Sequence, residues 1–206
     1  MRLIDAYQKL EQLNDAAVQT RDAAGVLEIT VTHASKILER LAQAGLVVFL
    51  CKGLWAFPKR MDSLLLPRYC AAPFACYVSL QTALYQHDMI MQMPSVIYAV
   101  SLARTKRFVT SLGEVSLHHI DPSFFFGYEV DPKSGIALAT PEKALLDFLY
   151  LSGAKSHLFG TLPELELPKK LSRKKANAMI ERIPSLQRRT LVRNRFEALL
   201  SGSTPH

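Results

Sequence analysis

Residues 30–57, TVTHASKILERLAQAGLVVFLCKGLWAF, leave few folds open. Ala34, Leu38 and Leu41, with Ile37 beside them, recur at helical spacing and make one apolar stripe. Thr30 precedes the stripe, and its hydroxyl can accept from the free N–H groups of a first helical turn. Gly45 follows it and suits the left-handed position that closes a helix. The opposite side carries Thr32, His33, Lys36 and Arg40. Residues 46–50 are then apolar and partly β-branched, Lys52-Gly53 reads as a turn, and residues 54–57 return as a second strand. A helix anchored on one side and polar on the other, beside a basic hairpin, is a geometry that reads a DNA groove. The stretch is therefore predicted to be a recognition helix with a two-stranded wing. A plain three-helix bundle has the same periodicity, and the Lys-Gly turn favours the DNA-binding account.

Upstream, residues 2–13 are predicted as a first helix with Leu3, Tyr7 and Leu10 on one face, ended by Asn14-Asp15. Residues 18–24 are expected to form a short second helix capped by Thr20, with Gly25 turning the chain. Three helices followed by a hairpin give the winged helix-turn-helix order. A boundary follows, since residues 58–68 are bracketed by prolines and read as a linker, although Leu64-Leu65-Leu66 should pack down. The division is residues 1–60 as the DNA-binding domain and 61–206 as a second domain.

The second region predicts a helix over residues 79–87 capped by Ser79, and a strand over 95–103 apolar enough to be buried on both faces. A hairpin of residues 107–110 and 114–120, a strand over 124–129 and a short one over 136–139 follow. Thr140-Pro141-Glu142 is a helix start: a cap, a proline at the first position and an acid at the positive end of the dipole. Ala144, Leu145, Phe148 and Leu149 should face the core. Ser172 and Ser185 each cap a basic helix, the second ending near Leu200. Strands and helices mix without βαβ alternation, so the class is α+β.

Charge narrows the partners. The 206 residues carry +7 net, and 49% are apolar, enough for real cores. Residues 1–60 hold eight Lys/Arg against six Asp/Glu, residues 61–160 seven against eight, and residues 161–206 ten against four. The C-terminal segment is a second candidate for nucleic-acid contact. Besides Lys169 and Lys170, it offers Lys174, Arg188, Arg189 and Arg193, although some must solvate amphipathic faces. Cys51, Cys70 and Cys76 lack metal-ligand spacing and read as buried reduced thiols. No signal peptide is expected, and no run approaches the roughly 20 apolar residues of a membrane span, so a cytoplasmic protein is expected.

The candidate DNA contacts are Thr30, Thr32, His33, Ser35, Lys36 and Arg40 on the helix, Lys52 on the wing, and Lys174, Arg188, Arg189 and Arg193 in the tail. Lys36 can donate to guanine O6/N7, Thr32 can meet a thymine methyl or a phosphate, and His33 can do either. Arg40 is better placed for phosphate, Glu39 on the same side would repel it, and Trp55 should pin the wing from the core. No catalytic, cofactor or metal site is expected. Glu142 and Asp147 are read as capping and salt-bridging residues. His118 and His119 are adjacent on a strand and so point to opposite faces. The run Phe124-Phe125-Phe126 is either a partner surface or sheet core.

Four phrases occur in order in the second region: YVSLQTALYQH (residues 77–87), IYAVSLARTKRF (97–108), FFGYE (125–129) and ALATPEKALLDFLYL (137–151). With the preceding module they make residues 15–160 resemble the AbiEi family, the antitoxin and repressor half of bacterial abortive-infection toxin–antitoxin pairs. The ATPEKALLD phrase is the most specific. Asp88 departs from the pattern, because the family tends to have glycine after the histidine. The resemblance implies an N-terminal winged helix-turn-helix that represses its own operon at inverted repeats, two copies gripping the site. It also implies a C-terminal α+β antitoxin domain and a nucleotidyltransferase-like toxin as the counterpart in phage defence. Direct sequestration of the toxin and a plain winged-helix regulator are the alternatives.

Overall fold

A computed structural model describes residues 2–152, 164–168 and 171–201. Lys169 and Lys170 lie outside the described residues. The chain is α+β, with helices and two sheets. In order, α1 (Leu3–Glu11), β1 (Ala17–Gln19), α2 (Thr20–Leu27), α3 (Val31–Gln43), β2 (Val48–Cys51) and β3 (Leu54–Ala56) make the N-terminal part. Strand β3 is central in a three-stranded antiparallel sheet, between β1 and β2. The expected second helix therefore starts later than residue 18. Ala17-Val18-Gln19 pairs as a strand with Ala56, Trp55 and Leu54, a partnership three residues are too short to announce by alternation. Gly25 does not turn the chain either. It sits inside α2, which closes at Glu28 in the left-handed region (φ 56°), with Ile29 N–H donating to Ala24 O (3.0 Å).

The remaining elements are a 3₁₀ turn at Ser63–Leu65, α4 (Leu66–Ala71), β4 (Cys76–Val78), α5 (Leu80–Gln86), β5 (Val96–Ser101), β6 (Lys106–Thr110), β7 (Gly113–His119), a 3₁₀ turn at Pro122–Phe124, β8 (Tyr128–Val130), β9 (Ala137–Ala139), α6 (Pro141–Ser152), α7 (Arg173–Glu181) and α8 (Leu186–Leu200). Residues 58–68 are not a free linker. Leu65, Leu66 and Pro67 are buried, and Arg60 Nη1 donates back to Glu11 O (2.9 Å). The predicted strand over residues 124–129 is also mostly absent. Phe124 ends a 3₁₀ turn started by Asp121 and Pro122, and only Tyr128–Val130 pairs, with β9.

The second sheet has the order β6-β7-β5-β4-β9-β8. Strands β5 and β7 run parallel, as do β4 and β9, and the other neighbours are antiparallel. Alternate residues of a strand face opposite ways, and here both faces are covered. Tyr77 and Val100 face one core with α5, α6, α7 and α8. Ala99, Val115 and Leu117 face a second core that contains Leu66 and Ala71 of α4 and also Ala17, Leu50, Leu54 and Ala56 of the first sheet. The N-terminal sheet thus packs on the six-stranded sheet through apolar side chains. Tyr69 Oη donates to Asp15 Oδ1 (2.5 Å) across the same junction. Among the described residues no helix is long and apolar enough to cross a membrane.

Candidate nucleic-acid interface

Helix α3 forms where the local sequence demands it. Thr30 Oγ1 accepts from His33 N–H (3.3 Å), and Ala34, Ile37, Leu38 and Leu41 are buried against α1 and α2. Gly45 (φ 71°) closes the helix: its N–H donates to Ala42 O (2.9 Å) and Leu46 N–H to Leu41 O (2.9 Å). No side chain meets a Cβ penalty at that turn, because glycine has none.

The opposite face is open. Thr30, Thr32, His33, Lys36 and Arg40 are exposed, three and four residues apart along one side of the helix. Among the described residues Thr32, His33, Lys36 and Arg40 have neither a side-chain hydrogen bond nor an ion pair. Ser35 is half-buried and donates from Oγ to Glu39 Oε1 (3.1 Å), so that carboxylate is engaged on its own helix. Cationic and polar groups left unpaired on a rigid helix are free to donate outward.

The β2–β3 hairpin is anchored to the start of α2. Lys52 and Gly53 (φ 78°) form its exposed tip, and Thr20 N–H donates to Gly53 O (2.8 Å). Trp55 is 6% exposed, and its Nε1–H donates to Thr20 Oγ1 (3.0 Å) while Phe49 packs edge-on against it, 5.2 Å between centroids. Lys52 is therefore carried on a turn whose position is tied to α2, which packs directly on α3.

The basic tail is a different case. Lys174 is exposed without a partner among the described residues. Arg189 is turned inward, with Nε and Nη2 both donating to Ile183 O (2.9 and 2.7 Å) and Nη1 3.7 Å from Glu181 Oε2. Arg193 donates to Glu181 Oε1, and Arg173 to Glu197 Oε2. Arg188 is half-buried, with Cζ 4.5 Å above the Tyr150 ring. Much of the charge that marks this segment in the sequence is engaged within the fold.

The salt bridge expected of Asp147 is made inside α6, in a second polar centre. Lys143 and Asp147 are fully buried in α6, with Nζ 2.6 Å from Oδ1. Tyr77 Oη and Ser79 Oγ donate to Asp147 Oδ2 (3.0 and 2.7 Å), and Lys143 Nζ donates to Phe124 O (2.7 Å). Ser79 thus spends its hydroxyl on Asp147 and makes no side-chain cap for α5. Burial drives the lysine pKa down and the aspartate pKa up, and their mutual attraction opposes both shifts. The Lys-x-x-x-Asp spacing was visible in the sequence, but its burial was not. Glu142 also engages, accepting at Oε1 from Ser172 N–H (2.9 Å) ahead of α7. The paired histidines point to opposite faces of β7, where His118 is buried and His119 exposed. The thiols are half-buried, and burial raises Cys70 to about 11 and Cys76 to about 12.

These features define an α+β protein with one unpaired, partly cationic helix face and a sealed ionic centre. No protein-family model matches the chain, and no curated protein sequence matches it.

Proposed function

We propose that residues 1–60 are a winged helix-turn-helix unit that reads operator DNA and that the chain is an autorepressing antitoxin. The single observation carrying the DNA-binding half is the α3 face: Thr32, His33, Lys36 and Arg40 are exposed and internally unpaired, while the reverse face is buried. In this reading the first turns of α3 enter the major groove, Lys36 meets a base edge, and Lys52 at the hairpin tip meets the backbone. Two copies bind an inverted repeat with half-sites about 34–36 Å apart or a multiple of that. Residues 61–206 supply the antitoxin function against a nucleotidyltransferase-like toxin, a reading supported by the ATPEKALLD phrase and its companions.

The test is binding of the full chain to its own upstream DNA and to random duplex. Lys36→Ala should weaken operator binding by roughly 1–3 kcal/mol and relax base preference, whereas Lys52→Ala should weaken both duplexes alike. Equal loss on both duplexes for Lys36→Ala would sink the base-reading role. For the antitoxin half, co-expression with the product of the adjacent reading frame should restore growth. The Phe124-Phe125-Phe126 run gives the sequestration alternative little support, since Phe124 is buried and the other two are half-buried against the core. Co-elution of the two proteins at micromolar concentration would revive it.

A further inference from the structure

Five planar groups in the C-terminal half touch one after another. Arg182, just past α7, holds Cζ 3.4 Å from the Phe126 centroid. Phe126 meets Phe124 edge to face, 5.4 Å between centroids, and Phe124 stacks on Tyr150 at 5.0 Å and 25°. Arg188, in the first turn of α8, closes the row with Cζ 4.5 Å from the Tyr150 ring. Lys143 Nζ sits 3.3 Å from the Phe124 centroid, within the core. The row is aromatic in the middle and cationic at both ends.

Packing alone does not call for arginine at those ends. Arg182 lies close enough to Lys143 to lower its pKa, an unfavourable like-charge contact that a methionine or leucine over Phe126 would avoid. Neither Arg182 nor Arg188 makes an ion pair among the described residues, whereas Arg173, Arg189 and Arg193 on the same two helices meet Glu197 or Glu181. Asp121, at the start of the 3₁₀ turn, feels the charges of His119 and Arg188. Arg182 is exposed and Arg188 half-buried. Each guanidinium therefore lies against a ring without a carboxylate partner among the described residues.

A ligand that offers both a π-face and an anion is an unpaired nucleotide: the base stacks on the plane and the phosphate takes the N–H edge. Bases inside a duplex have no free face to offer. We infer that Arg182 and Arg188 form stacking sites for a single-stranded nucleic acid, separate from the α3 surface and independent of the duplex-binding reading.

The test uses the full chain and fluorescein-labelled oligouridylate and oligothymidylate, read by anisotropy. Arg182→Ala and Arg188→Ala should each weaken binding by about tenfold, within the range measured for loss of one stacked base. Arg182→Lys should lose nearly as much, because an ammonium keeps the charge but has no plane. Lys36→Ala should leave both oligonucleotides bound as before, so failure of the duplex reading and of this one are told apart. A preference for the uridylate strand identifies RNA as the ligand, and a preference for the thymidylate strand identifies DNA. Unfolding midpoints check that each variant folds, and Arg182, being exposed, keeps the test open if Arg188→Ala does not. No binding by the wild type, or wild-type affinity in Arg182→Lys, would overturn the proposal. Displacement by polyglutamate at equal charge concentration would assign the surface to an acidic protein and overturn it equally.

Discussion

Lys143 Nζ lies 2.6 Å from Asp147 Oδ1, one helical turn along α6, and neither side chain reaches solvent. The pair joins three separate segments, because Asp147 also receives the Tyr77 and Ser79 hydroxyls and Lys143 donates to Phe124 O. Removing one partner strands the other charge in the core. Asp147→Ala should therefore lower unfolding stability by about 3–5 kcal/mol in urea titrations. The double variant Lys143→Met, Asp147→Leu removes both charges and should recover much of that loss. A double variant as unstable as Asp147→Ala would mean that the pair is itself net stabilising.

His118 makes stability depend on mild acid. It is 4% exposed, stacks on Tyr98 at 6.1 Å and has Nε2 2.9 Å from Ser116 Oγ. Burial lowers its pKa from 6.5 to about 4, so the folded chain holds it neutral where the unfolded chain would protonate it. The unfolded state then binds more protons between those values, and stability falls as pH drops through that window, by an amount on the order of 3 kcal/mol. His118→Gln should flatten that part of the urea-midpoint profile. An unchanged slope would place the acid sensitivity elsewhere.

Two backbone positions should respond in the same direction for different reasons. Asp88 is left-handed (φ 56°) and closes α5, its N–H donating to Tyr85 O (3.0 Å) and that of Met89 to Leu84 O (2.8 Å). Glycine occupies that conformation freely, without the Cβ crowding that an aspartate meets there. Asp88→Gly should raise stability by about 0.5 kcal/mol. Gly25 lies within α2, where a methyl group would meet nothing within 4 Å, so Gly25→Ala should add about 0.5–1 kcal/mol. Thermal midpoints decide both, and a fall in either would contradict the backbone account.

Arg189 and Lys174 separate structural charge from contact charge. Arg189→Ala removes both donors from Ile183 O and should lower the urea midpoint by the equivalent of about 1–2 kcal/mol. Lys174→Ala should leave the midpoint alone. If Lys174 meets DNA backbone, its loss should reduce the salt slope of duplex binding by about one unit, measured by repeating the titration at several salt concentrations.

The readable parts of this chain were those whose causes lie within a few residues. Thr30, the spacing of Ala34, Leu38 and Leu41, and Gly45 specify α3 almost residue by residue, because cap, stripe and stop act within the helix itself. The same holds for the Lys52-Gly53 hairpin, the β6–β7 hairpin and the Pro141 start of α6. What tertiary structure decided involves partners far along the chain. Ala17–Gln19 becomes a strand only because β3 lies beside it, and Phe124 becomes core only because Tyr150 and Lys143 pack on it. A lysine or an arginine reads as surface in any sequence, since burying a charge is costly unless it is paired. The pairing that buries Lys143 and turns Arg189 inward is made by Asp147 and by Ile183 O, and only the folded chain brings those atoms into place.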